Sequence, residues 1–267
     1  MDKRNFNIIF ILFPNAIFLF FILPIIRAEI PMQVENLYSE PGKFFIYTAK
    51  KFGITILHAT IRIGNKSIYH GKPTIQIEAV VCSLPHTTFL FRMNNRFISM
   101  VDAETLLPIQ YIKEIDQDGV LIKKKNYVQT HKFNHHDHKV IVEKSLSKEK
   151  QEIPLPPSTY DPLTIFLIYH LKDEFSPERE INLSVYDGVK VRQMVFHSKK
   201  EVLKFKEIDE LNVLCIESET SFSTFSEKEG TIRIWVTDNP KRIPVAIELI
   251  LPVGKIKFEL EEVREIK

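Results

Sequence analysis

Apolar and polar residues alternate one by one along most of this chain, and this pattern constrains the fold more than any other. Side chains separated by two residues lie on the same face of a strand, so the alternation is typical of half-buried β-strands. It is clearest near the C-terminus, where Ile256, Phe258 and Leu260 alternate with lysine and glutamate. The segments that show the alternation are 57–63, 75–79, 189–195, 232–236 and 255–261.

Short turn sequences rich in Gly, Asn, Asp and Pro separate the strand segments. They lie at residues 64–66, 118–119, 187–188, 229–230, 239–240 and 252–254. Turns this short join antiparallel neighbours, whereas parallel strands need a longer crossover. We therefore predict an all-β fold, an antiparallel meander that forms a barrel, a half-barrel or a strongly curled sheet.

Helix signals are confined to two places. Asp161 and Pro162 form an N-cap and first-turn pair, and the apolar residues that follow recur at spacings of three and four. This predicts one short covering helix over residues 161–172, preceded by a stiff proline-rich connector at 152–157. A weaker pattern predicts a second short helix over residues 84–93.

The N-terminus carries Lys3 and Arg4, then an apolar run over residues 8–26 that ends at Arg27-Ala28. This arrangement is typical of a secretory signal peptide over residues 1–28, which leaves one β-rich envelope domain over 29–267. The run is also long enough for an uncleaved membrane anchor, which is the alternative. Both interpretations predict a protein of the periplasm or cell envelope.

Charge narrows the choice of partners. The chain has a formal net charge of +2, and the four charged residues among 1–28 together contribute all of it, so the remainder is neutral. A neutral domain lacks the basic surface that nucleic acid requires, and we expect no nucleic-acid partner. The run Lys123–Lys125 favours a solvated strand or hairpin over a contact with a membrane surface, which is the alternative. We expect membrane contact only through the N-terminal segment, if that segment is not cleaved.

Two cysteines, Cys82 and Cys215, lie in strand-like runs. An exported protein can join such a pair in a disulfide, because the compartment is oxidising. Buried free thiols that pack as small apolar groups fit the same runs. The sequence leaves both alternatives open.

Four histidines, His131, His135, His136 and His138, form the most distinctive polar cluster. Imidazoles at close spacing are suitable ligands for zinc, copper or nickel. The last three also fall where a hairpin turn is expected, and an exposed turn accepts such residues without a metal. Both interpretations stay open, and the sequence indicates no other cofactor.

Other polar residues give less chemical information. His58, Arg62, Gln76 and Glu78 alternate with apolar residues, so they line either a barrel interior or the solvated face of a sheet. The sequence contains no G-x-S-x-G, H-E-x-x-H, C-x-x-C, Walker or G-x-G-x-x-G motif. We therefore predict no catalytic residue.

Four segments resemble the bacterial exported family catalogued as domain of unknown function 3108. They are an aromatic-then-glycine strand pair at 44–59, a turn at 101–108, a helix at 160–172 and a C-terminal signature at 234–256. The residues that carry the resemblance are Asp102, Pro108, Asp161, Trp235, Asp238, Arg242, Pro244 and Gly254. The resemblance spans residues 40–263 and implies a β-rich envelope domain, without implying an activity.

Three functions fit these observations. The first is non-catalytic binding of an apolar or amphipathic ligand such as lipid, suggested by a curled sheet and 20 phenylalanines. The second is a structural or assembly role in the envelope, through contacts with another envelope protein. The third is a metal-dependent enzyme that uses the histidines at 131–138. An apolar cavity would favour the first function, and a packed interior with an exposed apolar patch would favour the second.

Overall fold

The alternating segments form one antiparallel sheet in the computed structural model, which describes residues 42–145, 150–171, 177–178, 180–225, 228–252 and 254–266. Residues 1–28, with the predicted signal or anchor, lie outside the described residues. The strands are β1 (Gly42–Lys51), β2 (Ile54–Tyr69), β3 (Lys72–Ser83), β4 (Phe91–Asp102), β5 (Pro108–Gly119), β6 (Lys125–Asn134), β7 (Lys139–Lys144), β8 (Lys150–Pro154), β9 (Glu180–Tyr186), β10 (Val191–Phe205), β11 (Ile208–Ser218), β12 (Phe222–Ser223), β13 (Glu229–Thr237), β14 (Pro244–Leu251) and β15 (Gly254–Ile266).

The sheet is a meander in two halves that meet at β1 and β15. The strand order is β8-β7-β6-β5-β4-β3-β2-β1-β15-β14-β13-β11-β10-β9, and the short strand β12 pairs with β13. The predicted all-β antiparallel fold is confirmed. The sheet is not a closed barrel, because the edge strands β8 and β9 form no ladder with each other in the described part of the chain.

The connector that joins the two edges of the sheet covers residues 155–161, because residues 152–154 of the predicted connector are the end of β8. At its start, Leu155 N donates to the carbonyl of His138 over 2.7 Å. At its end, Tyr160 N donates to Ser184 O and accepts from Tyr186 N through its own carbonyl, each over 2.8 Å. The connector therefore lies along β9 and leads the chain from one edge of the sheet to the other.

One α-helix, α1 (Pro162–Leu171), follows the connector at the predicted position. Asp161 caps it, because its Oδ1 accepts hydrogen bonds from the backbone N–H groups of Leu163 (2.8 Å) and Thr164 (2.9 Å). The helix packs on the sheet through edge-to-face ring contacts: Phe166 with Phe45, and Tyr169 with Phe196. Among the described residues, no helix is both long and apolar enough to span a bilayer.

The prediction of a second helix over residues 84–93 is wrong. A 3₁₀ turn covers only Pro85–Thr87, and the chain enters β4 at Phe91. The helix cannot continue because residues from Phe91 onward pair with β5 and, from Asn94, with β3 as well. Strand pairing on both sides overrides a weak local helical pattern.

The two faces of the sheet differ as the alternation predicts. Ile61, Ile63 and Ile77 are buried in the core, whereas Arg62 is exposed. Glu78 accepts a 2.6 Å hydrogen bond from Arg96 on the neighbouring strand, on the solvated face. Of the two interpretations of these polar strand residues, the structure shows the solvated face.

Candidate functional site

An apolar cavity of about 150 Å³ lies inside the curl of the sheet. Both halves of the sheet line it, for example through Ala79 of β3 and Leu249 of β14, and α1 lines it through Leu163 and Phe166. Small side chains create part of the space, because the same-face neighbours of Ala59 and Ala79 along their strands are larger: Leu57, Ile61, Ile77 and Val81. The polar residues in the lining are Thr60, Lys113, Asp187, Ser223 and Thr224.

Lys113 places a cationic side chain in this largely apolar wall. It lies on β5 opposite Phe97 and is only 2% exposed. The backbone at Gly188 covers it: a Cβ there would lie 2.7 Å from Lys113 Cδ, and Gly188 has φ +83°. A side chain at residue 188 would therefore displace the lysine as well as strain the turn.

Asp187 is the buried carboxylate of the lining, and its oxygens are occupied. Oδ2 accepts from Arg192 Nε (2.6 Å) and the backbone N–H of Ser223 (2.9 Å), while Oδ1 accepts from the backbone N–H groups of Val189 and Lys190. Burial alone would raise the pKa of Asp187, but these hydrogen bonds and the Arg192 charge outweigh it and lower the pKa. Asp187 is therefore an ionised carboxylate that fixes the turn into β10.

The four histidines do not converge on one point. His131 is fully buried, with Nδ1 hydrogen-bonded to the Tyr186 hydroxyl over 3.2 Å. Burial, and then the nearby charge of Lys113, lowers the pKa of His131 to about 3, so the ring is neutral. Nε2 of His135 instead lies 2.8 Å from the Pro108 carbonyl.

The remaining two histidines, His136 and His138, are exposed in the turn between β6 and β7. Across the described ranges, no group of three or more His, Cys, Asp or Glu side chains is arranged to hold a metal ion. The predicted metal site therefore stays a prediction that the geometry does not support.

Cys82 and Cys215 are free thiols, so the disulfide alternative is not realised. Cys82 lies on β3 and Cys215 on β11, and five strands separate them in the sheet. Burial raises the pKa of both thiols, that of Cys215 to about 12. Both are therefore protonated and unreactive at neutral pH.

Comparison with known proteins gives a family and a fold. The family model described as "Protein of unknown function (DUF3108)" matches residues 44–261. The chain belongs to this family. The DUF3108 chain also resembles the crystal structure of a beta-barrel-like protein of domain of unknown function DUF1849 from Brucella abortus, with a TM-score of 0.53 and 12% identity, over 85% of this chain and 98% of that one. No curated protein matches it.

Asp102 and Asp161, two of the residues that carry the DUF3108 resemblance, stabilise a turn and cap a helix. Asp102 Oδ1 accepts from the backbone N–H groups of Glu104 (3.0 Å) and Thr105 (2.9 Å), and so fixes the turn that leads to Pro108 and β5. Asp161 caps α1 and accepts a 2.5 Å hydrogen bond from Ser99 on β4. These residues position the sheet and the helix that enclose the cavity.

The C-terminal residues of the resemblance are structural as well. Trp235 is buried, and Asp238 accepts a 2.9 Å hydrogen bond from Lys200. The backbone carbonyl of Arg242 lies 3.2 Å from Nδ1 of His170 in α1. The backbone carbonyl of Pro244 accepts a 2.9 Å hydrogen bond from the Tyr47 hydroxyl. Gly254 begins β15 with φ +118°.

Sequence reasoning missed Lys113 as a site residue. The signal was present in β5, where Tyr111, Lys113 and Ile115 share one face and the other two residues of that face are buried. A charged residue at an inward position of an alternating strand is the observation that points to a cavity. The position of Gly188 over the lysine gave no local signal.

Proposed function

We propose that this DUF3108 protein binds an apolar or amphipathic molecule without transforming it. The observation that carries the proposal is the apolar cavity of about 150 Å³ with the buried cation Lys113 in its wall. The apolar part of the ligand occupies the cavity between the two halves of the sheet, and an acidic group faces Lys113.

The cavity provides the driving force for binding. A cavity of this volume accepts small apolar molecules of about the size of benzene. Filling it with an apolar group regains van der Waals contacts along its walls, including those of Ile61, Phe166 and Phe258.

Lys113 determines the chemistry of the polar end. A cation in a largely apolar wall attracts an anionic group of a ligand strongly, because the low-dielectric surroundings screen the charge little. Hydrogen bonds to charged groups contribute about 1.5–3 kcal/mol, more than neutral ones. The favoured ligand is therefore an amphipathic acid, with lipid-derived carboxylates or phosphates as its class.

The titratable groups beside the cavity support binding and not catalysis. Both oxygens of Asp187 accept hydrogen bonds from the protein, so the carboxylate is not positioned to take a proton from a ligand. His131 is neutral and bonded to Tyr186. These groups hold the wall of the cavity in place.

We place this binding in the periplasm or cell envelope. The support is the sequence of residues 1–28, with its basic start, apolar run and small residue at the expected cut. Lipid-derived acids are abundant in that compartment because the membranes are there. Either a cleaved signal or an uncleaved anchor is compatible with the proposal.

Octanoate and octanol, compared by isothermal titration calorimetry at pH 7, test the proposal. We expect octanoate to bind at least about tenfold more tightly than octanol, because a charge-assisted hydrogen bond contributes about 1.5 kcal/mol or more. In Lys113→Met, which keeps the apolar stem and removes the charge, the two probes are expected to bind alike. Equal affinities of the unmodified protein for octanoate and octanol would contradict the proposed preference for an acidic ligand.

Variants of β3 supply the matched control for the cavity itself. Ala79→Leu fills the space and is expected to abolish binding of both probes. Val80→Leu enlarges the next residue of the same strand, which points to the opposite face and does not line the cavity. Retained binding in Ala79→Leu, or equal losses in both variants, would contradict the proposal that the ligand occupies this cavity.

A further inference from the structure

Three loops lie side by side at one end of the first half of the sheet. They are residues 50–54, 84–90 and 119–125, and together we call them the loop rim. Alternate connections of an antiparallel meander emerge at the same edge, so the β1–β2, β3–β4 and β5–β6 connections are neighbours.

Hydrogen bonds join the second loop to the third, and to the first residues of β2, which follow the first loop. Leu84 N donates to Ile56 O over 3.3 Å, and His86 Nε2 lies 2.8 Å from Thr55 O, which ties the second loop to the start of β2. Leu121 N donates to Leu90 O over 3.1 Å, which ties the third loop to the second. The loop rim is therefore one continuous surface.

The loop rim concentrates exposed apolar side chains. Phe52 is 93% exposed, Val120 84% and Phe89 72%. The large hydrophobic residues of the rim that are exposed are Phe52, Ile54, Phe89, Leu90, Val120 and Leu121, against five in the rest of the described chain. Apolar groups clustered at exposed loop tips indicate an interaction surface, because they contribute nothing to the core.

The backbone at Phe52 supports this interpretation. Phe52 has φ +51° and Gly53 has φ +78°, so both residues of the β1–β2 turn are left-handed. Asn, Asp or Gly would suit the first of these positions, and a bulky aromatic residue is disfavoured there. A phenylalanine in this conformation that is also exposed is not explained by folding.

The charge of the loop rim is uniformly positive. Its loops contain Lys50, Lys51, Lys123, Lys124 and Lys125 and no acidic residue. Lys51 Nζ lies 5.5 Å from the centre of the Phe52 ring, so a cation and an apolar tip are adjacent. On the adjoining strand, Asp118 Oδ2 lies 3.8 Å from Lys124 Nζ.

We propose that the loop rim docks onto an anionic lipid surface. The apolar tips insert at the boundary between headgroups and acyl chains, and the lysines lie at the level of the negatively charged headgroups. A bilayer matches this surface because it offers negative charge over an apolar layer to three separate loop tips at once. This contact is additional to any membrane contact through residues 1–28, and it does not depend on the cavity.

Hydrogen–deuterium exchange of the full protein with vesicles tests the proposal, whether or not the N-terminus also binds the membrane. The probes are vesicles of phosphatidylcholine alone and vesicles that contain about one third phosphatidylglycerol. We expect amide exchange in the loop rim to slow with the anionic vesicles only, and to recover at high salt. Unchanged exchange in the rim with both vesicle types would overturn the proposal.

Vesicle flotation with variants adds a second readout. In Phe52→Ser/Phe89→Ser/Val120→Ser, the affinity for anionic vesicles is expected to fall at least tenfold relative to the unmodified protein. The matched control, Val202→Ser/Ile208→Ser/Val263→Ser, removes exposed apolar side chains outside the rim and is expected to bind as before. Equal binding by both variants would overturn the proposal, as would rim protection caused by a co-purified envelope protein and not by vesicles.

Discussion

Replacement of Trp235 by alanine is expected to lower the free energy of unfolding by about 3–5 kcal/mol. The indole is only 6% exposed and lies in β13 opposite Cys215 and Ala246. Its Nε1–H donates to Glu201 Oε2 over 2.8 Å. Alanine would therefore leave a large void and a carboxylate without its indole donor.

A urea titration of Trp235→Ala measures this loss, and Trp235→Phe is the matched control. Phenylalanine keeps most of the buried ring and removes the hydrogen bond, so we expect a smaller loss of about 1 kcal/mol. A loss below 1 kcal/mol in Trp235→Ala would mean that the ring contributes little to the core and is available for a contact.

Replacement of Asp161 by asparagine is expected to remove a pH-dependent destabilisation of about 3 kcal/mol. Complete burial raises the pKa of Asp161 to about 6, against hydrogen bonds from Ser99, Thr164 and Leu163 that lower it. The folded protein then binds more protons than the unfolded chain between about pH 4 and pH 6. Stability from this group is therefore greatest below pH 4 and falls as the pH rises through 6.

Asparagine retains the N-cap but carries no charge, so Asp161→Asn isolates the effect. His131 acts in the opposite direction, because burial lowers its pKa to about 3 and its protonation destabilises the fold as the pH falls. Both proteins contain His131, so its contribution cancels when their free energies of unfolding are subtracted at each pH. Denaturant titrations at pH 4 and pH 7 give these free energies. The stability of Asp161→Asn relative to the unmodified protein should rise by roughly 2 kcal/mol from pH 4 to pH 7, because the unfolded carboxyl is already partly ionised at pH 4. An unchanged difference would show that Asp161 is not protonated at pH 4 in the fold.

The features that the sequence predicts well are the local ones. The alternation at 57–63 and 255–261 predicts strands because burial on one face alone imposes a repeat of two. The helix after Asp161 is predictable because its cap and its proline are adjacent in the chain. The helix prediction for residues 84–93 is wrong for the opposite reason, because pairing with strands on both sides determines the conformation of β4 and its local pattern does not.

The candidate site depends on contacts between distant parts of the chain. Lys113 is covered by Gly188, and His131 is bonded to Tyr186, and neither pair is close in sequence. The histidine cluster does not form because His131 is turned inward on β6, whereas His136 and His138 lie in the turn beyond it. A cavity is likewise a property of how the two halves of the sheet meet, which no single segment encodes.

Mass spectrometry of an organic extract determines whether the protein carries a bound molecule in the cell. The protein would be purified gently from an envelope fraction, and its own mass would locate its N-terminus. We expect a stoichiometric apolar or amphipathic molecule that carries an acidic group. A folded protein from the same fraction that releases no bound molecule would contradict the ligand-binding function.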